Sequence, residues 1–241
     1  MTIACPKESD TIFVTLQLEA KQETPYVESG SFIIPLPEET SWQIGKPGRI
    51  VDPKTDIQDG GNHALFNLER QVTVHTKQSA LSICSLDAPL FGIGSPGVYE
   101  YHKTFGKRRS DLYLNLFNNM WGTNFPQWIG GDLTYHFALQ SDVENPQIWA
   151  ADICNHEFAK QQLPEGMELV HTQAKDGKIY LTLRDLAGVA DKRSLFLKGM
   201  DIQCVDLNHM PIGKRQVECC QFRVRPYGLH VFLLQDNNRQ L

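Results

Sequence analysis

The feature that most limits how this chain can fold is a recurring pattern of short β-type runs cut apart by glycine, proline and asparagine. Thr11 to Leu18 alternates apolar and polar residues and is rich in β-branched side chains, so it reads as a strand. Ser31 to Leu36 is a short apolar run interrupted by proline, which suits a sheet edge. Trp42 to Val51 reads as a strand, a Pro-Gly turn and a return strand, and Asp59-Gly-Gly-Asn62 is a turn signal. Further strands are expected at Leu65 to Leu68, Gln71 to Thr76, Leu81 to Leu86, Leu112 to Phe117 and Thr134 to Leu139. The C-terminal third continues with Ile148 to Ile153, a hairpin from His171 to Arg184 turning at Asp176-Gly177, and runs at Ser194 to Leu197, Ile202 to Leu207, Glu218 to Val224 and Leu229 to Leu234. Asp87 to Gly97 reads as an extended loop. No amphipathic helix stands out, and Glu157 to Leu163 has room for a turn or two.

So many short strands without helices imply packed antiparallel sheets. The expected class is all-β, an antiparallel β-sandwich with room for a second, smaller β-sandwich. A composition shift near Gln140 to Pro146 divides residues 1–143, the larger sandwich portion, from residues 144–241, whose strands complete it or add a sandwich.

At 241 residues, 41% hydrophobic and 21% charged, the chain can bury a sizeable core. A net charge of -5 and no long basic run argue against nucleic acid or an anionic membrane as partner. Lys107-Arg-Arg109 reads as a solvated turn. No apolar run reaches membrane-spanning length, and the N-terminus lacks a basic start and an apolar h-region. Cys5, Cys84, Cys154, Cys204, Cys219 and Cys220 show no framework spacing, so free thiols in a cytoplasmic setting are expected.

Asn115 to Trp128 is the densest chemical stretch. It reads as a strand running into a ring-lined loop from Asn118 to Trp128, and no regular periodicity explains it. Trp121 and Trp128 could stack on sugar C–H faces while Asn118 and Asn124 bond hydroxyls. Alternatively, the rings plug the end of a sandwich and the amides cap loop backbone.

Other chemistry is sparse. His156-Glu157 opens like a zinc-binding helix, but Lys160 stands where the second histidine belongs, so no metal or other cofactor is expected. No nucleophile elbow, phosphate loop or dinucleotide signature occurs. Asp87, Glu100, Asp111, Asp132 and Asp185 are candidates for the paired carboxylates of glycoside cleavage, or are solvated loop residues.

Ser85-Leu-Asp-Ala-Pro-Leu90 and Asn115-Leu-Phe-Asn-Asn-Met-Trp-Gly-Thr-Asn-Phe-Pro126 resemble the C-terminal β region of bacterial proteins related to glycoside hydrolase family 38, the α-mannosidases. Gly60-Gly-Asn62 and the closing Gln221 to Leu233 are similar too, so the resemblance runs from about Trp42 to the end. It implies a supersandwich of the galactose-mutarotase-like kind. The family carries its zinc and catalytic aspartates in a preceding α/β barrel; Met1 to Lys21 has room for only a strand or two, so no catalytic residue carries over. The implied role is a non-catalytic module that supports or contacts carbohydrate, partnered by a separate or upstream catalytic barrel domain. The alternative is a stand-alone glycosidase or mutarotase-type enzyme using cleft carboxylates and a histidine.

Overall fold

A computed structural model describes residues 1–37, 40–96, 101–120, 127–155 and 163–236. The chain divides into two compact units, Met1–Pro146 and Gln147–Leu241. All strand pairings among the described residues are antiparallel, as the alternating runs require.

The first unit contains two sheets. The larger has seven strands in the order β1 (Thr2–Ala4), β2 (Ile12–Lys21), β11 (Gly131–Ser141), β8 (Ala80–Ser85), β7 (Gln71–His75), β4 (Ser41–Lys46) and β5 (Arg49–Val51). The smaller has four, in the order β3 (Ser29–Ile34), β10 (Leu112–Asn118), β9 (Leu90–Ile93) and β6 (Phe66–Asn67). One apolar cluster draws on both: Ile44, Val72, Ile83 and Phe137 from the first, Phe66, Phe91, Leu112 and Leu114 from the second. The Phe32 and Phe137 rings, one from each sheet, meet with centroids 5.2 Å apart. Removing each such side chain from water contributes ~1.5–3 kcal/mol, which fixes the register because a one-residue slip would turn every one outward. On the other face of the larger sheet from Val72 and Ile83, Thr73 and Ser82, directly opposite on β7 and β8, share a hydroxyl hydrogen bond of 3.0 Å.

The second unit is built on one sheet in the order β12 (Met167–Lys175), β13 (Lys178–Asp185), β16 (Leu229–Asp236), β14 (Lys192–Val205) and β15 (Gln216–Arg223). Central β16 buries both faces. Phe232 and Leu234 join Leu183, Leu195, Ile202 and Phe222 on one side, while Val231 and Leu233 join Tyr180 and Val205 on the other. Period-two alternation therefore turns a continuous apolar run into a strand with no wet face. Asp176 (φ 51°) and Gly177 (φ 72°) both take the left-handed conformation, which matches the twist of the β12–β13 hairpin they join.

Local readings differ in four places. Ile148 to Ile153 lies in a helix, α1 (Pro146–Cys154), not a strand. Pro146 has its φ preset for the first helical position, and Gln147, Ala150 and Ala151 bury at helical spacing. Leu90–Ile93, inside the stretch read as a loop, is strand β9. Ser194 to Leu197 and the Ile202–Val205 part of the run read to Leu207 belong to one long strand, β14, whose register shifts between Phe196 and Asp201, and Asp206 and Leu207 lie beyond its end. Thr2–Ala4 forms the short edge strand β1, which the sequence did not signal. The expected turn within Glu157 to Leu163 lies outside the described residues up to position 162. Among the described residues no helix is long and apolar enough to cross a membrane.

Candidate functional site

The two ends of β10 carry different chemistry. Its C-terminal end leads into the expected sugar platform. Asn118 is half-buried, and its amide donates to Asn115 Oδ1 at 3.0 Å. Trp128 is 54% exposed, a large apolar face offered to solvent. Trp121 and Asn124 lie outside the described residues. Among the described residues no hydrogen bond joins Asn118 to Trp128, so the pair does not form a single hydrogen-bonded unit.

What holds the base of this loop is a set of residues distant in sequence. Lys21, at the end of β2, donates to Ile129 O at 2.6 Å and pairs with Glu28 at 2.5 Å. Its ammonium also lies 4.9 Å from the centroid of the Phe117 ring. Lys21 therefore ties the chain before the loop to the chain after it. Asn119, 6% exposed, does the same for residues 24–28. Its Oδ1 accepts the Glu28 N–H at 2.6 Å, and its Nδ2 donates to Tyr26 O at 2.9 Å. A buried amide with both ends used fixes backbone rather than ligand. Asn119 thus serves the capping role considered for the loop asparagines, and Lys21 was not foreseen because its partners are far away in sequence.

The N-terminal end of β10 borders a cavity of about 380 Å³. Its walls come from the end of β9, the start of β10 and the 102–109 loop, and include Ile93, Phe105, Tyr113, Lys103, Lys107 and Arg108. Gly92 is required beneath it, since a Cβ there would stand 2.0 Å from the Tyr113 ring and hydroxyl. The segment is a strand because it pairs with β10 and β6, and its glycine makes room for the ring opposite. The 102–109 loop is pinned to residues 60–63: Gly60 N–H donates to Lys103 O at 2.8 Å and His63 N–H to His102 O at 2.9 Å.

The expectation of a solvated turn at Lys107-Arg-Arg109 fails for Arg108, which is half-buried. Its guanidinium donates to His63 O at 2.5 Å and to Phe105 O, and it stacks 4.3 Å from the Phe105 centroid. Arg109 pairs with Asp111 at 2.7 Å. Lys103 and Lys107 are exposed and have no acidic partner among the described residues. His63 itself is 1% exposed with Nδ1 unpartnered among the described residues, while Nε2 lies 3.4 Å from Gln58 O. The signal that could have found this wall was the interleaving of four basic residues with Phe105 and Gly106 in seven positions.

Among the described residues the candidate carboxylates do not share partners. Asp87 accepts from the His136 backbone at 2.6 Å and from its Nδ1 at 2.8 Å. Next to that pair, burial first and the Asp87 charge second push the Tyr135 phenol up. Asp111 faces Arg109, and Asp132 accepts the Ala20 N–H at 2.7 Å. Asp185, fully buried in the second unit, accepts from Arg193 at 3.1 Å, Gly188 N–H at 2.8 Å and Tyr227 N–H at 3.0 Å. That set staples two loops and leaves little of the carboxylate for chemistry. Glu100 and His156 lie outside the described residues. Among those described, no three histidine, cysteine, aspartate or glutamate side chains converge as ligands for a metal ion.

The six cysteines stand as free thiols. Cys204 and Cys220 bring their sulfurs within 3.5 Å. That hydrogen bond pushes the Cys204 thiol down and, together with burial, the Cys220 thiol up. Compared with known proteins, the chain matches no family model and no curated protein.

Proposed function

We propose that this chain is a non-catalytic β-sandwich module that contacts carbohydrate, with Trp128 as the contact ring. The observation that carries the reading is the exposure of Trp128 beside a loop base clamped by Lys21, Glu28 and Asn119. A large ring held open on a fixed base gives a sugar an apolar face at low entropic cost. The resemblance of Asn115 to Pro126 to the C-terminal β region of α-mannosidase relatives supports the ligand class, and with it a catalytic barrel on a separate or longer chain as partner. The separate engagement of Asp87, Asp111, Asp132 and Asp185 supports the lack of catalysis. The test is a titration with mannose oligosaccharides followed by tryptophan fluorescence. A saturable change that disappears in a folded Trp128→Ala variant is expected; no change in the parent leaves only a structural role.

The alternative, a stand-alone glycosidase or mutarotase-type enzyme, draws on the Asp87–His136 pair. A carboxylate on Nδ1 orients an imidazole so that Nε2 can exchange protons with a sugar. Under that reading turnover of a nitrophenyl mannoside, or faster interconversion of sugar anomers, disappears in His136→Asn.

A further inference from the structure

We propose that the cavity at the N-terminal end of β10 binds a small organic oxyanion, a carboxylate or phosphate ester carried on a compact, partly apolar body. The site is separate from the Trp128 contact, since β10 spans Leu112–Asn118 and the two features border opposite ends of it. Three observations converge.

The first is charge. The chain as a whole carries -5, yet Lys103, Lys107, Arg108 and Arg109 all line one cavity. Lys103 and Lys107 have no carboxylate against them among the described residues. Like charges held together in a concave wall repel, and an incoming anion relieves that repulsion.

The second is rigidity. Arg108 is fixed by carbonyl acceptors on His63 and Phe105 and by the Phe105 ring, and the loop is bonded to residues 60–63. An anion site already held in place loses little entropy on binding. Arg109, already matched by Asp111, contributes frame rather than capture.

The third is size and lining. About 380 Å³ is more than a bare inorganic anion fills and falls within the range of small-ligand sites. Ile93, Phe105 and Tyr113 supply apolar wall for the body of the ligand, and the two lysines bind its charged head.

The experiment is an amide NMR titration of the full chain with glucose 6-phosphate, glucuronate, inorganic phosphate and mannose. Saturable shifts at Gly94 and Gly106 are expected with one or both charged sugars. The Lys103→Gln/Lys107→Gln variant, changed only at exposed side chains, should bind roughly tenfold or more weakly, the loss of charge-assisted contacts. The tighter of the two charged sugars identifies the head group. Trp128→Ala should leave these shifts unchanged, which separates this site from the oligosaccharide contact. The proposal is overturned if neither charged sugar saturates there, if mannose or inorganic phosphate binds as tightly as the better of them, or if the double variant binds like the parent.

Discussion

Both units set basic side chains beside a cavity, and they differ in how far those charges are matched. In the second unit Arg193, against a cavity of about 530 Å³, is answered by Asp185 and Asp191 and donates to Glu165 O. On β13 Arg184 pairs with Glu168, which is fully buried. In the first unit the core is apolar from sheet to sheet, and the cationic wall at residues 103–109 holds two lysines without acidic partners among the described residues. Matched charge inside a small unit holds strands and loops in place. Unmatched charge around a rigid opening is available to a ligand. Cavity volume alone would rank the two the other way, which is why the charge partners, and not the size, decide between them.

The contrast can be broken most forcefully at the buried pair. Arg184→Leu should destabilise the second unit by ~3–5 kcal/mol, because the fully buried Glu168 loses its guanidinium. Adding Glu168→Leu should restore much of that. Hydrogen exchange of the β12–β13 and β13–β16 amides reads it out, and equal losses in the single and double variants would refute the pairing. In the first unit the counterpart is apolar: Leu114→Ala should cost about 3 kcal/mol, seen as lost protection in β3, β9 and β10. If its cost is negligible, the two-sheet core is not what holds that unit.

Asn119→Ala should cost ~1–3 kcal/mol by freeing the Glu28 N–H and the Tyr26 carbonyl, with faster exchange at the Glu28 amide as the local signature. The smallest effect is in pH. Burial, reinforced by Arg225, pushes His230 below its ordinary 6.5, and its Nε2 accepts the Arg225 N–H at 3.4 Å. The neutral ring is therefore the folded form. Its contribution is complete above pH 6.5 and is lost as pH falls through the lower folded value. The urea midpoint of the second unit should drop on acidification in that window, and His230→Gln should flatten the slope.

The fold class was legible because its signals are local. Alternation at Thr11 to Leu18 and the left-handed pair Asp176-Gly177 announce a strand and a hairpin within a few residues. Helix α1 was not, since a short run containing Ile148, Trp149 and Ile153 has the composition of a strand and only Pro146 marks the start. Strand β9 was hidden because Gly92 answers to the Tyr113 ring on the neighbouring strand, a need invisible in its own segment. The site failed to show for the same reason. Lys21 and Ile129 are 108 positions apart, and Arg108 reaches back 45 to His63. Trp128 could be picked out as a ring in a loop, but what clamps its base could not.

The most direct test of the central claim, that this module holds a sugar without cleaving it, follows one sample in two ways at once. The full chain is titrated with a nitrophenyl α-mannoside while tryptophan fluorescence and nitrophenol release are recorded together, with and without zinc. A saturable fluorescence change, absent in Trp128→Ala, with no nitrophenol released is the predicted result. Nitrophenol release that disappears when a single carboxylate such as Asp87 is replaced by asparagine would contradict it.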